Sequence, residues 1–181
     1  EGPVGKKLSY VLSARVSPLT YEYRAVRKFL PQMLGGLDNF NAKVGDLYGK
    51  LHFQVNEKSA LDASFLGSVD SYGYDTQGDS HDEMSWDNLL GIVRYRYDGE
   101  VTSFNLTASA NRYGSRQKQD KTYRGEVSHY SLRSSLMEYG LKAGLQHRFL
   151  DDRLLIGEGL NLRYGRFAPG QIGEDTRISN T

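Results

Sequence analysis

The stretch that decides the fold is DLYGKLHFQV, residues 46–55, in which polar and apolar side chains alternate. Its odd positions carry Leu, Gly, Leu, Phe and Val, and its even positions carry Asp, Tyr, Lys, His and Gln. A period of two places successive side chains on opposite faces of a β-strand, and a slip of one residue would move the charges onto the apolar face. The stretch therefore predicts a strand with one apolar and one polar face.

The same alternation recurs along the chain and predicts an all-β fold, an antiparallel meander of about seven long strands. The predicted strands are 6–16, 46–56, 60–72, 88–97, 101–112, 139–149 and 154–167. Two of them are imperfect. Leu90 and Ile92 share a face with two arginines, and Glu158 interrupts the apolar face of the last strand.

The connections alternate between short and long. Short turns are expected at 56–59, 98–100 and 150–153, with Asp98-Gly99 as a strong hairpin signal. Long polar loops are expected at 17–45, 71–87 and 113–138 and from residue 168 onward, so that all long loops lie at one end of the sheet. The first loop is predicted to contain a short helix at 22–29, before Pro31.

Composition excludes several classes of protein. The 181 residues include 23 basic and 22 acidic side chains, a net charge of +1, so no basic field favours nucleic acid. With no cysteine there is no disulfide framework and no thiolate metal site. No apolar run approaches the ~20 residues of a membrane-spanning helix, whereas strands that cross a membrane keep average hydropathy low. The N-terminus, EGP, does not have the character of a signal peptide.

Two architectures can produce this alternation, a soluble β-sandwich and a transmembrane β-barrel. Strands of soluble proteins usually have about 5–6 residues, whereas strands that cross a bilayer need about 9–11, as these do. Short turns at one end and long loops at the other are typical of outer-membrane barrels. The predicted polar face carries charges of both signs, which suit a wet lumen: Lys7, Arg15, Asp46, Lys50, His52, Asp62, Asp70, Arg94, Arg96, Lys142, Arg148 and Arg163.

Aromatic residues near the predicted strand ends suggest the girdles that such barrels place at membrane interfaces. They are Tyr72, Tyr74, Trp86, Tyr113, Tyr139, Phe149, Tyr164 and Phe167. Bacterial single-chain barrels have an even number of strands, and the sequence ends in ISNT without an aromatic-ended final strand. We therefore expect residues 1–181 to be part of a larger barrel.

Three stretches resemble TonB-dependent outer-membrane receptors. GPVGKKLSYVLSAR (2–15) resembles the barrel strand that follows the plug; DNFNAK (38–43) with LHFQVNEK (51–58) resembles the next hairpin, and 61–74 the strand after it. The likeness covers about the first 110 residues well. The sequence departs from the family in that the plug, the TonB box and the later strands are missing.

The resemblance implies a location in the cell outer membrane, in contact with the lipid bilayer and lipopolysaccharide. The family forms a plugged barrel of about 22 strands. It imports a scarce small ligand, such as a siderophore, vitamin, glycan or peptide, with energy from the TonB complex acting on the plug. A chain without the plug would not complete this transport alone, so we expect a segment of such a receptor.

No residue pattern predicts catalysis, and we expect neither an enzyme nor a cofactor. The histidines, His52, His81, His129 and His147, lack the spacing of metal ligands. The acidic stretch 75–83 lacks the order of ligands in an EF-hand, so a solvated loop is expected rather than a calcium site. Five basic residues around the third long loop fit either a solvated loop or contact with an anion: Arg112, Arg116, Lys118, Lys121 and Arg124.

Alternatives to the transporter segment remain at this point. A soluble β-sandwich could bind a partner or a glycan on exposed tyrosines, and a small non-transporting membrane barrel would need an eighth strand. The ligand-binding residues are not predicted, because recognition depends on loop geometry and on the missing plug.

Overall fold

The computed structural model describes residues 1–30, 37–76, 80–123, 126–150 and 153–178, which form one open antiparallel sheet and one helix. The elements are β1 (Gly2–Val4), β2 (Leu8–Ser17), α1 (Leu19–Phe29), β3 (Leu37–Asn56), β4 (Ser59–Thr76), β5 (Ser80–Asp98), β6 (Thr102–Tyr123), β7 (Glu126–Phe149) and β8 (Leu154–Ile178). Each strand pairs with the next one along the chain, so strand order and chain order coincide. The predicted antiparallel meander is confirmed.

The sheet has eight strands in its described part, one more than predicted. The additional strand, β1, has three residues and pairs with the beginning of β2. Three residues are too few for a period of two to be recognised in the sequence.

The strands are also much longer than predicted. The long loops at 71–87 and 113–138 are wrong, and the predicted loop at 17–45 is shortened because β3 begins at Leu37 and not at residue 46. β4 continues to Thr76 and β5 begins at Ser80, while β6 and β7 together occupy nearly all of 113–138. β8 likewise continues beyond 168, to Ile178. Polar residues occupy both faces of these extensions, so the alternation fades although the backbone ladder continues. Residues 77–79 and 124–125 lie outside the described part.

The short turns lie at one end of the sheet, as predicted. In the β5–β6 turn, the Gly99 N–H donates to the Thr102 carbonyl over 2.9 Å. A Cβ on Gly99 would lie 2.7 Å from that same oxygen, which explains the glycine. The two-residue turn between β3 and β4 is closed by Asn56, whose side-chain oxygen accepts from the Lys58 N–H.

The predicted helix forms as α1 and begins three residues earlier than expected, at Leu19. Glu22 in its first turn and the basic residues of its last turn complement the helix dipole. The Thr20 hydroxyl donates to the Ala42 carbonyl of β3 and accepts from the Ala42 N–H. The Tyr23 ring lies 4.9 Å from the ring of Phe40. These contacts hold the helix against β3.

The described residues have almost no hydrophobic core. Ala42 and Ala60 are the buried hydrophobic residues, and no large side chain is fully buried. A single sheet has no second layer to cover its apolar face, whereas a soluble domain buries that face against another element. The apolar side chains of this sheet are therefore accessible to whatever surrounds it.

Candidate functional site

Strand register brings the apolar positions of seven strands onto one side of the sheet, which we call the outer side. Three adjacent rows on this side contain no charged residue and define the apolar belt. They are Leu12, Gly49, Phe65, Gly91, Ala110, Tyr139 and Tyr164; Tyr10, Leu51, Ala63, Val93, Ala108, Leu141 and Leu162; and Leu8, Phe53, Leu61, Tyr95, Leu106, Ala143 and Leu160.

The belt is exposed. Leu51 is 51% accessible, Phe65 43% and Leu162 52%. Soluble proteins rarely expose a contiguous apolar patch of more than a few hundred Å² unless it is an interaction surface. The belt crosses strands β2–β8, so it is a continuous apolar surface rather than scattered hydrophobic side chains.

A shallow depression of about 680 Å³ lies in the belt, lined by residues that include Tyr10, Leu51 and Phe65. Small residues form its floor. The ring of Phe65 on β4 covers Gly49 on the neighbouring strand β3. A Cβ on Gly49 would be 2.2 Å from Cε1 of the Phe65 ring, so this close approach requires glycine. An aromatic ring covering a strand glycine is a known device for fixing register.

The opposite, inner side of the sheet carries the charged residues predicted for the polar face, and several of them pair. Nη2 of Arg15 lies 2.6 Å from Oδ2 of Asp46, directly across β2 and β3. Leu90 and Ile92 lie among these polar side chains, as the sequence predicts.

Asp62 is the centre of the largest inner-side cluster, and its side chain is only 14% exposed. Its Oδ1 lies 2.9 Å from Nδ1 of His52 and 3.8 Å from Nζ of Lys50, and its Oδ2 lies 3.4 Å from Nη2 of Arg96. The carboxylate thus shares three basic neighbours on two adjacent strands. The cluster lies on the side of the sheet opposite the belt.

Beyond the belt, the outer side of β4–β7 becomes polar; we call this region, which spans 71–76, 80–87, 113–123 and 126–135, the polar extension. Register places Asp75, His81, Asp120 and His129 in one cross-strand row. Nδ1 of His81 lies 2.6 Å from Oδ1 of Asp75, and Nδ1 of His129 lies 2.7 Å from Oδ1 of Asp120. The row alternates acid and imidazole.

Hydrogen bonds shift two pKa values in this row. The bond from His81, together with one from Asn39, lowers the pKa of Asp75 below its ordinary 3.8. The same bond to Asp75 raises the pKa of His81 above its ordinary 6.5, and the charges of Asp75, Asp120 and Glu83 add to the increase.

Three arginines line a cavity of about 500 Å³ at the border between the belt and the polar extension. We call it the arginine pocket; its outer-side residues are Ser85, Asp87, Arg112, Gly114, Arg116, Arg133, Ser135 and Ala168. Arg112 and Arg116 were predicted as possible anion contacts, whereas Arg133 was missed. Arg133 lies on a different strand, β7, and only register reveals that it lies directly opposite Arg116.

The other basic residues of the predicted set lie elsewhere. Lys118 pairs with Glu83, at 3.1 Å from Nζ to Oε2. Lys121 is on the inner side of β6, and Arg124 lies outside the described residues.

The histidines and the acidic stretch give no metal site in the described part of the chain, where no group of three or more His, Asp and Glu has suitable geometry. Three of the four histidines pair with an aspartate, and His147 contacts the Thr102 hydroxyl at 3.0 Å. Within 75–83, Asp82 accepts from Gln119 and Glu83 from Lys118, so these carboxylates are satisfied by neighbouring strands.

The predicted aromatic girdle is mostly wrong. Tyr139, Phe149 and Tyr164 lie on the outer side, but the other five residues lie on the inner side: Tyr72, Tyr74, Trp86, Tyr113 and Phe167. Trp86 instead packs edge-on against Tyr72, with ring centroids 5.9 Å apart. The prediction failed because it considered the distance from strand ends and not the side on which each ring lies.

Within the described residues, no helix combines the length and the hydrophobicity that crossing a membrane requires. A scan against protein-family models and searches of curated proteins and of solved structures find no match to this chain. The chemistry of the two sides of the sheet is therefore the basis on which a function is proposed.

Proposed function

We propose that this chain forms part of the wall of a transmembrane β-barrel in an outer membrane, as a segment of a TonB-dependent receptor that imports a scarce ligand. The proposed role is binding and transport rather than catalysis. The observation that carries the proposal is the apolar belt, an uncharged and exposed surface that crosses seven strands on the side opposite the Asp62 cluster.

The length of the apolar run on β4 supports lipid contact. On β4 the apolar outer-side positions run from Leu61 to Val69, nine residues, before Ser71 and Asp75 begin the polar extension. A strand that crosses the hydrocarbon of a bilayer at a tilt needs about 9–11 residues. On β4 the apolar run, which extends beyond the three rows of the belt, thus has the length of a strand in the apolar band of an outer-membrane barrel.

The inner side fits the lumen of a barrel. Charged side chains in a wet lumen are tolerated because water and opposite charges stabilise them, and the Asp62 cluster combines both conditions. The apolar interior of a bilayer offers neither water nor opposite charges, so a lipid-facing surface does not tolerate charged side chains. The two sides therefore match the two surroundings that a barrel wall separates.

The length of the strands supports an extracellular projection. β7 has 24 residues, about 80 Å at about 3.3 Å per residue, far more than a bilayer requires. The turns at one end are short, and the polar extension lies at the other end. Long extracellular segments carry the ligand contacts of many barrels, and we propose that function for the polar extension.

The sheet edges favour a segment of a larger barrel. β1 and β8 are the two edges of the described sheet and do not pair with each other. A barrel has no free edges, so further strands would have to continue from β1 and β8. The alternative of a β-sandwich requires two packed sheets, whereas the described residues form one.

Site-specific probes in a membrane test the proposal. Because the chain has no cysteine, single variants Phe65→Cys, Ser64→Cys and Ser85→Cys can each carry one environment-sensitive fluorophore. In phosphatidylcholine vesicles that contain spin-labelled lipid, we expect strong quenching at position 65 and little at position 64 or 85. Phe65 lies in the belt, Ser64 on the inner side, and Ser85 on the outer side beyond the belt.

Circular dichroism of the unlabelled chain, in buffer and in the vesicles, completes this experiment. β-structure only with lipid supports the proposal. A monomeric chain with full β-structure in buffer, or equal quenching at all three positions, would reject it.

A further inference from the structure

We propose that the arginine pocket binds the phosphate of a membrane lipid whose acyl chains lie along the apolar belt. This inference rests on the proposed function, because the pocket can receive a lipid only if the belt faces the bilayer. It assigns a ligand to Arg112, Arg116 and Arg133, which line the pocket together.

The pocket has excess positive charge. Arg116 and Arg133 lie directly opposite each other on β6 and β7. Side chains in such a cross-strand pair have Cβ atoms about 4.5–5.5 Å apart, and like charges placed there are destabilising. Two facing arginines are therefore stabilised when an anion lies between them.

The described residues do not supply that anion. None of the three arginines makes an ion pair or a side-chain hydrogen bond with the part of the chain that the structure describes. Asp87 is the acidic residue of the pocket, and its Oδ1 lies 2.8 Å from where a Cβ on Gly114 would be. One carboxylate against three guanidinium groups leaves an excess of two positive charges (3 − 1 = 2).

The donor chemistry of the pocket suits phosphate. Guanidinium groups bind phosphate oxygens in a bidentate manner, and they are less strongly hydrated than an ammonium group. Hydroxyl groups of Ser85 and Ser135, on the same side, provide further donors. A lipid phosphate that carries one or two negative charges would neutralise the excess charge.

Position selects a lipid rather than a soluble anion. Arg112 follows Ala110 of the belt by two residues on the same side of β6, and register places it opposite Met137. Tyr139 and Leu141 of the belt follow Met137 on the same side of β7. A phosphate in the pocket would leave the attached chains beside this apolar surface, as in a lipid at the edge of a bilayer.

The same border is also basic at a second place on the outer side, beside α1, β2 and β3. A groove of about 530 Å³ between α1 and the strands is lined by Arg24 and Lys43, and by Val16 and Val69 on its apolar side. Val16 is 82% exposed and Val69 61%. Basic side chains thus border the apolar surface at two separate places, which is the arrangement expected at the level of phosphate headgroups.

The test measures binding to lipid phosphate in detergent-refolded full chain. The probes are a short-chain phosphatidic acid, inorganic phosphate and a short-chain phosphatidylcholine, each titrated while the ³¹P resonance is monitored. The variant is Arg116→Gln with Arg133→Gln. The matched control, Lys142→Gln with Arg163→Gln, removes the same charge from the inner side of adjacent strands.

We expect the wild type and the control to bind phosphatidic acid, and the pocket variant to bind it at least about tenfold more weakly, because two charge-assisted contacts are lost. We expect phosphatidylcholine to bind weakly to all three proteins. Binding of inorganic phosphate as tight as that of phosphatidic acid would overturn the lipid assignment. Equal binding by the pocket variant and the control would overturn the site.

Insertion into neutral phosphatidylcholine vesicles separates this inference from the proposed function. All three proteins keep the belt, so we expect equal insertion, measured by co-flotation and circular dichroism. A chain that does not insert would reject the membrane proposal itself. Insertion of all three proteins without loss of phosphatidic acid binding in the pocket variant would reject only the site.

Discussion

The apolar belt and the polar extension occupy the same side of the same strands, yet they differ completely in chemistry. The belt has no charged residue in three rows, whereas a single row of the extension carries Asp75, His81, Asp120 and His129. Backbone pairing continues through both regions without a break in β4–β6. The comparison shows that the ladder fixes the shape of the sheet and that side chains alone decide which surroundings each region suits.

A charge placed in the belt gives the largest expected effect. Phe65→Arg should lower the free energy of unfolding in a bilayer by about 2–4 kcal/mol if the belt contacts lipid near its midplane. Ser64→Arg on the inner side and Ser85→Arg beyond the belt should cost much less, because both side chains can remain hydrated. Urea titration of the chain in vesicles measures all three. Equal losses at the three positions would show that the belt and the extension have the same surroundings.

A substitution that fills the space under the Phe65 ring should have an intermediate effect. Gly49→Ala would place a Cβ 2.2 Å from Cε1 of Phe65, so the ring must leave its partner. The loss of such a cross-strand pair should cost about 0.2–1 kcal/mol. In a Phe65→Leu background the same substitution should cost almost nothing, and unfolding titrations of the four proteins give the coupling. Additive effects would contradict the packing of this pair.

Removal of an ion pair from the extension should have a small effect. Lys118→Gln breaks the ion pair with Glu83. Because the side chains of Lys118 and Glu83 are 45% and 42% exposed, the free energy of unfolding should fall by only about 0.2–1 kcal/mol. High salt should remove most of the difference from the wild type, since it screens exposed charges. Lys121→Gln, on the inner side of the same strand, is the control. A loss that persists in high salt would indicate that the extension is less hydrated than proposed.

A change of pH should change the stability of the polar extension through Asp75 and His81. It should not change the stability of the belt. The lowered pKa of Asp75 stabilises the fold above its ordinary value of 3.8, and this contribution is lost as the pH falls through the lowered pKa. The raised pKa of His81 stabilises the fold below 6.5, and that contribution is lost as the pH rises through the raised pKa. The pair is therefore fully effective between these two ordinary values.

An NMR titration of the His81 ring measures this effect. We expect its pKa above 6.5 in the wild type, and closer to 6.5 in Asp75→Asn, because the largest cause of the shift is removed. Asp120 and Glu83 remain in that variant and keep a part of the increase. An unchanged His81 pKa in Asp75→Asn would show that the hydrogen bond does not form.

Where alternation was strong, the sequence predicted the structure well. The stretch 46–55 lies within β3, with Leu47, Leu51 and Phe53 on the outer side as expected. The hairpin at Asp98-Gly99 also forms, because glycine permits the tight turn there, and the predicted helix forms as α1. In the extension, polar residues on both faces removed the periodicity, so the strands there were not recognised.

The candidate sites required register, which a single strand does not reveal. Arg112 and Arg116 were visible as basic residues of one segment, but their position beside Arg133 depends on the pairing of β6 with β7. The histidines showed no motif spacing, although His81 and His129 each contact an aspartate on a neighbouring strand. The side on which Trp86 lies also follows from register and not from its distance to a strand end.

The sequence by itself determined that the chain forms long antiparallel strands with one apolar and one polar side, since a period of two admits only that arrangement. The tertiary structure decided how far the strands extend, that Phe65 covers Gly49, and which charges meet. Local periodicity depends on each residue and its neighbours in the chain. Contacts across the sheet depend on the alignment of residues up to about fifty positions apart, which hydrogen bonds of the backbone ladder fix.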